Sequence, residues 1–319
     1  MSYNIDPELQ AVLEFLPSLD LENPGQARAG LTEMSALMTD SIDETGVSIE
    51  DRSIPGASGA ANIAIRIYRP EALQEKTAGL LYIHGGGFVV GNLDTEHAGP
   101  IGVCRALGIV VVSTDYRKAP EHPYPAGLDD CFTALQWLHA NADELSVDRE
   151  RIGIRGGSAG AGLSAGLALL ARDRGGPDIC FQYLGIPELD DRLQTVSMTE
   201  FTDTPLWNRP NAVLSWQYYL GDSYIPGGDD VPYTAAPARA SVEQLRGLPP
   251  AYVSTMEFDP LRDEGIEYAL KLLQAGVNVE LHSFPGTFHG SELMADAAVS
   301  QRGLSEGLEA LRRGLKVQG

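Results

Sequence analysis

Residues 151–173 read RIGIRGGSAGAGLSAGLALLARD, a strand that becomes a helix with no connector between them. "RIGIR" alternates in strand fashion, and from Ala159 small and apolar residues recur at helical spacing. Within the stretch G-x-S-x-G occurs twice, around Ser158 and Ser164, and a third copy surrounds Ser305. The pattern sets a nucleophilic serine on a sharp strand-to-helix turn. Such a serine crowds its neighbours, so small residues two before and two after it relieve the clash. Ser158 has Gly156, Gly160 and the strand before it. Ser164 falls inside the predicted helix, where its glycines let the helix pack close against the sheet, and Ser305 has helix on both sides. Context therefore singles out Ser158.

The rest of the chain alternates in the same way. "NIAIRIYRP" (62–70) places Ile63, Ile65 and Ile67 on one strand face, and the runs 78–83 and 109–114 are continuously apolar, as buried strands are. Further strands are predicted near 151–155, 179–186, 250–256 and 277–284. Helices are predicted over 7–16 and 26–38, where Leu31, Met34 and Leu37 keep helical spacing, and near 126–141, 159–173, 261–275 and 290–315. This order implies an α/β fold, a mostly parallel sheet with helices on both faces. Residues 188–235 break the alternation. They are too long for a simple connection, carry Phe201, Trp207, Trp216, Tyr218, Tyr219 and Tyr224, and read as a helical insertion.

A nucleophilic serine needs a base, and the base needs an orienting acid, at the ends of later strands and in the order serine, acid, histidine. Of the six histidines, only His282 and His289 lie near the end of a late strand. His282 is inside the strand, whereas His289 follows Pro285 and Gly286, which end it, so His289 is the expected base. Glu257, Asp259, Asp263 and Glu264 are the nearby acids. Asp259 is the first carboxylate past the strand "AYVSTME", while Asp263 and Glu264 fall on the next helix. Negative charge builds on the carbonyl oxygen when serine attacks, and preorganised N–H groups must meet it. His84-Gly85-Gly86-Gly87 follows a buried strand and lets the backbone approach closely. Gly85, Gly86 and Ala159 are the expected donors, with His84 and Gly87 positioning the loop.

Composition narrows the partners. The chain has 319 residues and a formal net charge of −21, which repels nucleic acid and anionic lipid. The cysteines Cys104, Cys131 and Cys180 fit neither a metal spacing nor a disulfide framework. No apolar run approaches the ~20 residues that span a bilayer. The N-terminus lacks a basic region followed by an apolar core, so a cytoplasmic protein is expected.

HGGG (84–87), the G-x-S-x-G around Ser158, "EFDPLRDEG" (257–265) and "FHG" (288–290) occur in this order. Together they resemble the hormone-sensitive-lipase family of α/β-hydrolases, the bacterial family IV esterases. "DYRKAPEHPYPAGLDD" (115–130) is similar to a further signature of that family. The resemblance spans roughly residues 45–315. Within the family, "GIPELDDRLQTVSM", "TPLWNRPNAVLSWQYYLG" and "VELHSFPGTFHGS" resemble the bacterial heroin esterase group. Two departures stand out. The family usually reads G-D-S-A-G-G at the elbow, where this chain has Gly157 for the Asp and Ala161 for the last Gly. Ser291 stands where an aromatic or aliphatic residue is usual.

The resemblance implies an α/β-hydrolase fold with an eight-stranded, mostly parallel sheet. It implies a catalytic domain of residues 46–187 and 236–319, capped by residues 1–45 and the insertion 188–235. It further implies a serine carboxylesterase that acts on small-molecule short-acyl esters, including those of bulky or aromatic alcohols, through an acyl-enzyme. Phe88, Trp207 and Trp216 are expected at the substrate pocket. No metal or organic cofactor is implied. A homodimer fits the family and the edge strand near 277–284. Two readings stay open: an amidase or lactonase using the same residues, and a non-catalytic small-molecule receptor. Receptors of this family lose the histidine, and this chain keeps His289.

Overall fold

The computed structural model describes residues 3–16, 19–39, 42–57 and 59–318. Its strands are β1 (Val47–Ile54), β2 (Ile63–Pro70), β3 (Thr77–Ile83), β4 (Val110–Asp115), β5 (Val147–Gly157), β6 (Gln182–Gly185), β7 (Ala251–Phe258) and β8 (Val279–Phe288). The α-helices are α1 (Pro7–Gln10), α2 (Pro24–Thr39), α3 (Ala98–Leu107), α4 (Ala126–Ala140), α5 (Ala159–Asp173), α6 (Val196–Glu200), α7 (Arg209–Leu220), α8 (Arg262–Gln274) and α9 (Ala298–Gly314). The eight strands form one sheet in the order β1-β2-β4-β3-β5-β6-β7-β8. Only β2 runs against its neighbours, pairing antiparallel with both β1 and β4. The mostly parallel eight-stranded sheet expected of an α/β-hydrolase is thus present.

The interior strands are covered on both faces, which explains their unbroken apolar runs. Along β3, Leu81 and Ile83 join Val110, Val112, Ile152 and Ile154 in a core shared with α4, α5 and α8. The alternate residues Leu80 and Tyr82 join Val111 in a second core closed by α3 and α9, through Leu107, Leu311 and Leu315. Each fully buried Leu, Ile or Val contributes ~2 kcal/mol by leaving water. Crossovers between parallel strands bring the carboxyl ends of β3, β5, β6, β7 and β8 to one edge of the sheet, where Ser158, Asp259 and His289 meet.

Several segments differ from the sequence reading. Strand β1 escapes it because its burial is confined to its ends, Val47 and Ile54. Helix α3 escapes it because Gly99, Pro100 and Gly102 are poor helix formers, although its buried face, Pro100, Ile101, Val103, Cys104 and Leu107, is continuous. The predicted helix 7–16 is two short turns, α1 and a 3-10 turn at Leu13–Phe15. The side chain of Leu37 lies outside the described residues. Pro285 and Gly286 do not end β8, which continues to Phe288. The predicted helix 290–315 is a 3-10 turn, Ser291–Leu293, followed by α9.

Residues 188–235 contain α6 and α7. They pack with residues 19–31, where Leu21, Trp207, Met198 and Ala212 share an apolar cluster with Val89, Val90, Ala119 and Leu261. Arg28 on α2 ties this layer down, donating to the carbonyls of Val89 and Ala119 and pairing with Glu121.

Candidate active site

Strand β5 delivers its chain into α5 through a single residue, Ser158, whose φ of 56° lies in the left-handed region. A non-glycine residue held there is strained, and such strain collects at functional sites. The flanking glycines are sterically required. A Cβ on Gly156 would stand 2.1 Å from the Gly160 carbonyl oxygen, and one on Gly160 would stand 2.2 Å from that of Ile83.

His289 follows β8 directly, and Asp259 follows β7 directly. The His289 Nδ1 is 2.7 Å from Asp259 Oδ2, and its Nε2 is 2.9 Å from Ser158 Oγ. A carboxylate only accepts, so Nδ1 carries the proton and Nε2 is left to take that of the serine. Asp259 is fully buried, and its other oxygen accepts the Leu261 N–H at 2.9 Å, which fixes the carboxylate plane. Burial pulls the His289 imidazole down, but the charge and hydrogen bond of Asp259, with Glu292 adding, leave it net above its ordinary value.

The other candidates are engaged elsewhere. Glu257 accepts the Gly286 N–H, Asp263 accepts the Ser197 N–H, and Glu264 accepts those of Leu189 and Asp190. His282 lies between Glu306 and Glu280. Ser164 is buried inside α5 and bonds the Gly160 carbonyl at 2.8 Å. Its flanking glycines do serve close packing, against backbone rather than sheet. A Cβ on Gly162 would meet the Glu188 carbonyl at 2.2 Å, and one on Gly166 that of Thr234 at 2.4 Å. Ser305 is exposed on α9.

The glycine run differs from expectation by one residue. The Gly85 N–H donates to Glu96 Oε1 at 2.6 Å, which removes Gly85 from the set of available donors. The N–H groups of Gly86, Gly87 and Ala159 have no acceptor among the described residues. Gly86 and Gly87 both hold positive φ, 113° and 56°, and a Cβ on Gly86 would stand 2.3 Å from the Val90 carbonyl oxygen. His84 stacks on Tyr116 at 4.3 Å, its Nδ1 is 2.8 Å from the Gly85 carbonyl, and Tyr116 donates to the His84 carbonyl.

Trp207 reaches the site, with its ring 5.8 Å from that of His289 and its edge against Gly87. Phe88 and Trp216 are packed into the main core instead. Phe88 stacks on Tyr219 at 4.0 Å, and Trp216 meets both rings. Glu96, Glu188 and Ser215 went unread in the sequence. No spacing rule marks them, because they reach the site from a turn (Glu96), the segment after β6 (Glu188) and α7 (Ser215), whose paths only the fold defines. No group of three or more metal-binding side chains occurs among the described residues, and no helix there is long and apolar enough to cross a membrane.

The sequence model of the family described as alpha/beta hydrolase fold matches residues 80–293. A solved structure titled Bacterial Heroin Esterase superposes with a TM-score of 0.95 at 53% identity, covering 98% of each chain. The Carboxylesterase NlhH of Mycobacterium tuberculosis is 41% identical over 98% of this chain and 97% of its own. The Ethyl acetate hydrolase of Pseudomonas putida is 32% identical over 98% of this chain and 100% of its own. The chain belongs to the hormone-sensitive-lipase-like branch of the α/β-hydrolase family and is a carboxylic ester hydrolase.

Proposed function

We propose that this enzyme hydrolyses short-acyl, acetyl-type esters through an acyl-enzyme on Ser158. The observation that carries the reading is the unbroken line Asp259–His289–Ser158, ending on a serine held at positive φ. Ser158 Oγ attacks the ester carbonyl carbon while His289 Nε2 takes its proton, and Asp259 steadies the resulting imidazolium. The oxyanion is met by the N–H groups of Gly86, Gly87 and Ala159, the last at the positive end of the α5 dipole. His84 holds the loop. His289 then protonates the departing alcohol, and water, deprotonated by the same imidazole, cleaves the acyl-enzyme.

Residues 1–45 and 188–235 act as the cap in this reading. Ser158 and His289 are 8% and 7% exposed, so the cap leaves little room at the reacting atoms, which favours a short acyl group. Two relatives carry names that point the same way, one for heroin and one for ethyl acetate. Trp207, beside His289, is the aromatic placed to meet an aromatic or bulky alcohol. A series of p-nitrophenyl esters of rising acyl length tests this, together with one acetylated polycyclic alcohol. Highest kcat/KM on the acetyl member is expected, and kcat/KM that climbs steadily with chain length would overturn the acyl assignment.

A further inference from the structure

The Ser215 hydroxyl, on α7, stands between two oxygens. Its Oγ is 3.0 Å from the Gly87 carbonyl oxygen and 2.8 Å from Glu188 Oε1. A serine has one proton to donate and lone pairs with which to accept. If Glu188 is a carboxylate, that proton satisfies only one of the two oxygens. If Glu188 is a carboxylic acid, both contacts are hydrogen bonds at once: the acid donates to Ser215, and Ser215 donates to Gly87. Both side chains are fully buried, and Glu188 has no cationic ion-pair partner among the described residues. The titratable groups facing it are His289 and Asp259 from the ends of β8 and β7, Glu264 from α8 and Tyr219 from α7. Two of these four are acids, which adds to the cost of a second buried negative charge.

We propose that Glu188 is a positioning residue for ester hydrolysis, a neutral acid that donates to Ser215 so that Ser215 can hold the Gly87 carbonyl and with it the oxyanion loop. The Glu188 backbone is part of the same frame, since its N–H reaches the Ser158 carbonyl at 3.2 Å. Burial pushes the Glu188 carboxyl up to about 8, with the Ser215 hydrogen bond and His289 opposing and Asp259 adding. The carboxyl is therefore protonated at neutral pH and loses its proton on the alkaline side. Ser215 then turns toward the carboxylate and releases Gly87. The oxyanion contact is made mainly in the transition state, so the loss falls on kcat more than on KM. This inference rests on the acyl-enzyme reading above.

The test is kcat for a phenyl acetate followed by pH-stat from about pH 6 to about pH 9.5, across both limbs of a pH–rate profile. Wild type should lose about tenfold of kcat on the alkaline limb, the effect of one hydrogen bond at the oxyanion loop. In Glu188→Gln the amide N–H donates to Ser215 at every pH, so that limb should flatten to within about twofold. Ser215→Ala cuts the relay and should lower kcat about tenfold across the range, with KM little changed. An alkaline decline in Glu188→Gln equal to that of wild type would overturn the proposal, as would wild-type kcat in Ser215→Ala. Burst release of phenol by wild type at neutral pH is a separate readout, and its absence would count against the acyl-enzyme reading instead.

Discussion

The Glu96 carboxylate accepts the Gly85 N–H at 2.6 Å and so decides which members of the glycine run can meet an oxyanion. Glu96 reaches the loop from residues 92–95, a turn locked by the Asn92 side chain and the Thr95 hydroxyl. With Gly85 pinned, the run turns through Gly86 and Gly87 with their N–H groups unspent. Glu96→Ala should therefore lower kcat by about ten- to a hundredfold while changing KM little, because the contact it protects is made in the transition state. Steady-state kinetics on a p-nitrophenyl ester check this. A KM effect with unchanged kcat would place Glu96 in substrate binding instead.

Gly86 and Gly157 make opposite predictions. A Cβ on Gly86 runs into the Val90 carbonyl at 2.3 Å and its φ is 113°, so Gly86→Ala should cost about 2 kcal/mol or more of stability and most of the activity. A Cβ on Gly157 meets nothing within 4 Å. Gly157→Asp should therefore fold with its melting temperature nearly unchanged. Its added negative charge beside the elbow favours the His289 cation, so the acid limb of kcat/KM should move to higher pH. Thermal melts and pH–rate profiles of both variants measure these outcomes.

The base must be neutral to accept the serine proton. His289 sits above the 6.5 of a free imidazole because Asp259 outweighs the effect of burial. The sign follows: protonated His289 prevails at low pH, so kcat/KM should rise with pH through a midpoint above that value. Asp259→Asn removes the charge, which should lower the midpoint. It also removes the obligate acceptor for Nδ1–H, and activity should fall about a thousandfold or more. An unchanged midpoint would mean that another group governs the limb.

Ser164→Ala separates the two neighbouring pentapeptides, 156–160 and 162–166. The Ser164 hydroxyl only bonds back to the Gly160 carbonyl within α5. Its loss should change stability by less than ~1 kcal/mol and leave most of the turnover. Loss of activity comparable to that of Ser158→Ala would reverse the choice of elbow.

What the sequence could and could not disclose follows from where each interaction is made. The line Asp259–His289–Ser158 was legible because each member directly follows a strand whose residue pattern marks it, although Pro285 and Gly286 lie inside β8 rather than at its end. Ser158 needed only the strand before it and the helix after it. Which N–H groups of the glycine run are free was not legible, since the engagement of Gly85 depends on Glu96, a contact across a turn that periodicity does not report. Phe88 and Trp216 looked like pocket residues because aromatic composition marks burial without saying in which core. The relay of Glu188 and Ser215 was invisible for a related reason: one follows a strand, the other lies on α7, and only the packing of α7 over the loop joins them. Strand β1, half exposed at the sheet edge, left no alternation to read.

The central claim is that Ser158, activated by His289 and Asp259, is the nucleophile. The most direct measurement is labelling of the whole protein with a fluorophosphonate, followed by peptide mass spectrometry. One phosphonate per chain on Ser158 is predicted, with ester turnover lost in step with labelling and no label in His289→Ala. Label on Ser164 or Ser305, or ester turnover that persists once Ser158 is fully modified, would contradict it.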